Sequence, residues 1–190
     1  MMREPLVDLV LSHNSPRYMA TGVDPNDFQR ILARLERWDD WCRAWSEEGA
    51  RHERQGDDAA ARGYTVTAVE AYLRASIYFH YGKHLFAHDQ EQYHAAHMRM
   101  LRCYQAAAPG LTPPVERIEI PFEGGTLPAN LRKPTGREPA PTAVHLIGTT
   151  ATVQEIVVRI LRRVHLVGRM QDTAPPSVDC IINISAFDLR

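Results

Sequence analysis

From Asp24 to Ala108 the apolar residues recur at helical intervals, and from Val115 onward they alternate. Asp24-Pro25-Asn26-Asp27 predicts a helix start: Asp24 can cap the exposed amides, Pro25 suits the first turn, and Asp27 suits the positive end of the helix dipole. That helix is expected to run to about Trp38. Trp38, Trp41 and Trp45 then fall at i, i+3 and i+7 with Cys42 beside them. They form an apolar stripe on a second or continuing helix that ends near Gly56 to Gly63, and its simplest role is helix packing. Thr67-x-x-Glu70 has the form of a capping box ahead of Ala71, Tyr72, Ala75, Ser76, Tyr78 and Phe79, predicting a helix to about Phe86. Asp89 with Gln92 opens a fourth, with Tyr93, Ala96, His97, Met100, Leu101 and Tyr104 sharing a face. The expected arrangement is antiparallel helical hairpins joined by short loops.

The texture changes near Pro109. Val115, Arg117, Glu119 and Pro121 oppose Glu116, Ile118, Ile120 and Phe122, a period of two with one apolar face. Glu123-Gly124-Gly125 supplies a turn, and Thr126 to Arg132 returns as a second strand. After the Pro-rich stretch 134–141, Ala143 to Ile147 reads as a buried strand ending at Gly148. Val153 to Val167 is expected as a β-branched, mediocre helix and Val178 to Ile184 as one more strand. The expected fold class is α/β, a mostly helical N-terminal half followed by a partial β-sheet. It divides into a helical region over 1–112, the start of a sheet domain over 113–150, and a divergent tail over 151–190.

Composition narrows the function classes. Lys plus Arg total 22 against 23 Asp plus Glu, a net charge of -1, which provides no field for steering onto nucleic acid or an anionic membrane. No run approaches the roughly 20 apolar residues of a membrane span, and Met1 to Ser12 lacks the basic start, long apolar stretch and cleavage site of a signal peptide. Cys42, Cys103 and Cys180 are far apart and form no C-x-x-C pair, so they are expected as free thiols in a reducing cytoplasm.

Three kinds of chemistry can be sought. His80, His84 and His88 lie at i, i+4 and i+8 on one helix, while His94 and His97 lie on the next. Glu91-x-x-His94 matches half of the carboxylate and imidazole set of a di-iron bundle, with Glu70 available, but no second E-x-x-H accompanies it. No metal site is therefore assigned, although a metal-binding helical bundle is a third reading of the chain. Glu123-Gly124-Gly125 has neither a Walker lysine nor a following helix, and no cofactor is expected. Nucleophilic hydrolysis needs a serine or cysteine on a strained turn, and no G-x-S-x-G occurs in the 190 residues. Asn183-Ile184-Ser185-Ala186-Phe187 lacks both glycines.

Trp38-Asp39-Asp40-Trp41-Cys42, then Ala71-Tyr72-Leu73-Arg74-Ala75-Ser76-Ile77-Tyr78-Phe79-His80, then Ile120-Pro121-Phe122-Glu123-Gly124-Gly125-Thr126-Leu127-Pro128 occur in one order. Together they resemble 2,6-dihydroxypseudooxynicotine hydrolase and its α/β-hydrolase relatives, over about Arg17 to Gly148. The resemblance implies an incomplete α/β-hydrolase architecture in which N-terminal helices form a lid over the active site. It implies a Ser, Asp and His triad that cleaves a carbon-carbon bond next to a ketone, or an ester. The substrate would be a small aromatic ketone or ester, and Gly148 and Thr149 would stand where the oxyanion hole draws a backbone amide. No triad residue is identifiable, so the chain is expected to be a truncated, inactive form, either a fragment or a frameshifted or short gene product. An incomplete sheet would leave an edge open, which predicts homodimerisation or poor stability of the second part. The alternative reading is a helical protein-interaction module without enzymatic activity.

Overall fold

The computed structural model describes residues 3–122, 125–132, 142–147 and 180–185. The chain forms two compact units, Met1–Gly110 and Leu111–Arg190. The first contains five α-helices: α1 (Pro5–Ala20), α2 (Pro25–Leu32), α3 (Trp41–Ala61), α4 (Thr65–Lys83) and α5 (Gln90–Ala107).

Local chemistry explains most of the helix boundaries. Asp24 caps α2 by accepting hydrogen bonds from the amides of Asn26 and Asp27, at 2.8 and 3.3 Å. Asp89 caps α5 by accepting from the amide of Gln92 at 3.0 Å. Four expectations are corrected. Helix α2 stops at Leu32, because the chain is extended at Arg37 (ψ 161°) before a single 3-10 turn over Trp38–Asp40 leads into α3. Helix α4 starts at Thr65 instead of Thr67: Gly63 takes a left-handed φ of 78°, which turns the chain directly into the next helix. It ends at Lys83 instead of Phe86, since His84 is already extended and Leu85 has a φ of 66°. Helix α1 lies where no helix was expected. Its start has Pro5 in the first turn, and Arg3 ties the preceding segment to α2 by donating to the carbonyls of Leu35 and Leu32, at 2.9 and 3.1 Å.

The core of the first unit is aromatic. Trp41 and Trp45 are fully buried with Tyr18, Tyr78 and Phe86, as the tryptophan spacing predicts, while Trp38 is half-buried and stacks on Trp41 at 5.0 Å. Tyr18 packs edge-on to Trp45 and Tyr81, at 5.1 and 4.5 Å. The Trp41 indole donates to the carbonyl of Tyr81 at 2.9 Å, joining α3 to α4. These two helices pack closely because α3 carries glycine at two positions seven residues apart. A Cβ on Gly49 would lie 3.1 Å from the Phe79 ring, and one on Gly56 would lie 2.6 Å from the Tyr72 ring. On α5 the buried face is Ala96, Cys103 and Ala107, and Tyr93, His97, Met100, Leu101 and Tyr104 are only half-buried.

In the second unit, β1 (Val115–Phe122) and β2 (Gly125–Arg132) form an antiparallel hairpin with Phe122 opposite Gly125. From Arg117 to Ile120 the expected alternation holds, with Ile118 and Ile120 half-buried and Arg117 and Glu119 exposed, whereas at the strand start Glu116, on the isoleucine face, is exposed and Val115 is half-buried. β4 (Cys180–Ser185) pairs antiparallel with β2 and parallel with β3 (Thr142–Ile147), giving the order β1-β2-β4-β3. A sheet that begins with a hairpin and continues with a parallel pair is the mixed arrangement of an α/β architecture. The helix expected over 153–167 lies outside the described residues.

Candidate functional site

The most concentrated chemistry in the helical unit surrounds Asp27, in the first turn of α2. Asp27, Glu48 and His52 are 3%, 1% and 3% exposed, so two acids and an imidazole occupy a core otherwise built of apolar side chains. Such groups are tolerated only when each is paired and hydrogen-bonded. Asp27 Oδ2 lies 2.6 Å from His52 Nε2 and accepts from the Tyr78 hydroxyl at 2.5 Å. Asp27 Oδ1 accepts from Arg51 at 2.7 Å and is also paired with Arg30. Glu48 Oε1 accepts from Arg51 Nε at 2.6 Å and from Arg30 at 3.0 Å, and Arg34 approaches its other oxygen at 3.5 Å. One polar network therefore joins α2, α3 and α4.

Its protonation state follows from those contacts. Burial pushes the Asp27 carboxyl up, but hydrogen bonds from Tyr78 and His52 and the charge of Arg51 outweigh it, leaving Asp27 below the ordinary carboxylate range. Glu48 behaves alike: burial raises it, and the hydrogen bonds from Arg30 and Arg51 bring it below its usual value. His52 is held below its ordinary value mainly by burial, which the Asp27 hydrogen bond only partly offsets. At neutral pH the pair is thus a carboxylate and a neutral imidazole. The carboxylate 2.6 Å away calls for a proton on Nε2, the tautomer that leaves Nδ1 as an acceptor, and an Arg51 nitrogen also lies 3.0 Å from Nε2. Nδ1 has no hydrogen-bond partner. His52 also lines a groove of about 400 Å³ between α3 and α4, together with Arg62, Tyr64, Glu70 and Arg74.

Asp27, Glu48 and His52 are the one group among the described residues whose ligand atoms lie close enough to share a metal ion, within 4.8 Å of one another. The donor set does not fit a cation. Both carboxylates are already engaged by Arg30 and Arg51, so the two negative charges are neutralised and an incoming ion would have to displace two guanidinium groups.

The histidines singled out by spacing only partly converge. His80 and His84 lie 5.9 Å apart, and the His97 ring stacks on Tyr93 at 6.4 Å. Burial and the neighbouring Lys83 charge hold His80 down to about 4. His88 turns away to Asp39 at 3.0 Å, and Glu91 and His94 are exposed on α5. Gly148 and Thr149, the expected oxyanion-hole residues, lie outside the described residues. The Asp27 network escaped the sequence reading because its members are 25 and 51 residues apart and each resembles an ordinary helix-surface charge. The signal within reach was Asp27, read there only as a dipole-compensating acid.

No family model matches the chain. It is 32% identical over 142 residues to the α/β-hydrolase pydG of an Acremonium species, covering 71% of this chain and 33% of the relative. It is 30% identical over 115 residues to the 2,6-dihydropseudooxynicotine hydrolase of Paenarthrobacter nicotinovorans, covering 60% of this chain and 31% of that protein. The crystal structure of the 2,6-dihydroxy-pseudo-oxynicotine hydrolase superposes with a TM-score of 0.58 at 28% identity, over 70% of this chain and 36% of that one. Over about 70% of its length the chain is homologous to α/β-hydrolases. It spans about a third of the length of the curated relatives it matches. Among the described residues no helix is long and apolar enough to cross a membrane.

Proposed function

We propose that this chain supplies the helical lid and the opening strands of a hydrolase that cleaves a carbon-carbon bond next to a ketone, or an ester, in a small aromatic compound. The observation that carries the reading is the similarity in sequence and structure to the 2,6-dihydroxy-pseudo-oxynicotine hydrolase, which takes in 70% of this chain. In such chemistry a serine on a strained turn attacks the carbonyl, a histidine accepts its proton, and backbone amides hold the developing oxyanion. Thr149, following Gly148 and β3, is the residue proposed to donate one such amide. The nucleophile elbow is not among these 190 residues, so these residues by themselves are proposed to be catalytically inactive.

Two buried free thiols, Cys42 and Cys103, suit a reducing cytoplasm. A homodimer is proposed as the solution state, with sedimentation as its check. The activity is tested by incubating the purified chain with aromatic esters and aryl ketones. Hydrolysis at the buffer rate is expected, and saturable turnover that copurifies with the chain would overturn the reading.

A further inference from the structure

The charges around Asp27 balance only while His52 is neutral. Asp27 and Glu48 place two negative charges in the core, and Arg30 and Arg51 each pair with both acids. The charged and titratable groups that surround the His52 ring come from all three helices packed about it. They are Asp27, with Arg30 bound to it, from α2; Glu48 and Arg51 from its own helix α3; and Tyr78 and Arg74 from α4. A second proton on the ring would go to Nδ1, a buried atom with no hydrogen-bond partner among the described residues. It would also add a cation beside two acids whose charge two guanidinium groups already offset. Both effects keep the proton off the ring in the folded chain.

Tyr78 connects this imidazole to the start of α2. Its hydroxyl donates to Asp27 Oδ2, the oxygen that also binds His52, and accepts from the Asp24 amide at 3.1 Å. Asp24 caps α2 and Asp27 lies in its first turn, so charge on His52 acts where α2 is fastened to α3 and α4. The seam between α3 and α4 has further supports of its own: the Trp41 indole donates to the Tyr81 carbonyl, and the Phe79 and Tyr72 rings sit against Gly49 and Gly56. Helix α2 has eight residues, too few to persist as a helix once detached. We propose that His52 is an acid-sensitive latch: uptake of its second proton frees α2 from α3 and α4 while those two helices stay packed together. The latch lies within the helical unit and does not rest on the proposed hydrolysis.

Hydrogen exchange of the 190-residue chain at pH 7.5 and 5.5, read by peptide mass spectrometry and corrected for the intrinsic pH dependence of exchange, tests the latch. A histidine that titrates near its ordinary 6.5 when α2 is open, and stays neutral when α2 is closed, raises the open population about tenfold over this interval. Peptides from residues 25–32 should lose about tenfold in protection at pH 5.5 and remain less protected than peptides from α4. His52→Gln keeps a donor toward Asp27 but cannot take up a proton, so the loss in α2 should disappear. The same loss in folded His52→Gln, or equal protection of α2 and α4 at pH 5.5, would overturn the proposal. NMR titration of the His52 ring in the unaltered chain gives a second check that needs no variant. Release of α2 must follow protonation of this ring, and a ring that titrates at 6.5 with α2 still protected would also overturn it.

Discussion

Replacing Asp27 with alanine tests whether the buried network holds α2 against α3 and α4. The substitution removes the acceptor for His52 Nε2, for the Tyr78 hydroxyl and for one nitrogen of Arg51. His52 and Tyr78 are 3% and 0% exposed, so neither freed donor can turn to water. Each stranded donor costs about 1–3 kcal/mol, so the two together cost about 2–6 kcal/mol, while Arg30 and Arg51 are partly exposed and keep Glu48 as a partner. The favourable placement of an acid at the start of α2 adds roughly 0.3–1 kcal/mol to the loss. Against a typical domain stability of about 5–15 kcal/mol this is a large fraction. Urea unfolding followed by fluorescence reads it directly, because Trp41 and Trp45 are fully buried in this unit. With a urea slope of about 1–3 kcal/mol per M, the midpoint should fall by at least about 1 M. Asp8→Ala is the control: Asp8 pairs with Arg3 at 3.3 Å in an exposed position, where a pair is worth about 1 kcal/mol or less. Equal midpoints for the two variants would refute the claim that the network organises the helices.

Other expectations follow from the same contacts. Acidification should destabilise the helical unit in two stages: His52, His80 and His84 all lie below their ordinary values when folded, so stability present above about pH 6.5 is lost as pH falls below it. Asp27, Glu48 and Glu53 are likewise depressed and add a second loss below about pH 4.5, so a urea midpoint that is flat from pH 7.5 to 4 would contradict the burial assigned to these groups. Gly56→Ala should cost about 1–3 kcal/mol despite alanine's better helix propensity, because the new methyl meets the Tyr72 ring; a stabilised variant in thermal unfolding would show that the ring moves aside freely. Cys103, buried against Glu53 and pushed up to about 12, should resist a thiol reagent in native protein and react fully in urea.

How much of this was legible in the sequence varies with the range of the interaction. The caps at Asp24 and Asp89 and the tryptophan stripe were readable because a few neighbouring residues decide them. Helix α1 was also written in the pattern, since its buried Val7, Val10, Leu11 and Tyr18 fall at i, i+3, i+4 and i+11. Pro16 within it and a first turn whose Glu4 makes no side-chain cap obscured the signal. Helix α4 was misplaced by two residues because a capping-box pattern competed with the left-handed turn at Gly63, and the turn prevailed. The Asp27 network depends on partners brought together only by tertiary packing, and Arg30, Arg51 and Glu48 each look like solvated charges until α2 and α3 are placed side by side. The oxyanion-hole residues Gly148 and Thr149 were assigned through family resemblance, and β3 ends one residue before them.

The central proposal is that these 190 residues supply the helical lid and first strands of an α/β-hydrolase but not its nucleophile. Its most direct test is labelling of the purified chain with a fluorophosphonate, which reacts covalently with activated serines, followed by peptide mass spectrometry. The account predicts no serine modified above the level found in urea-unfolded protein. Stoichiometric modification of one serine in the native chain, abolished by unfolding, would contradict it.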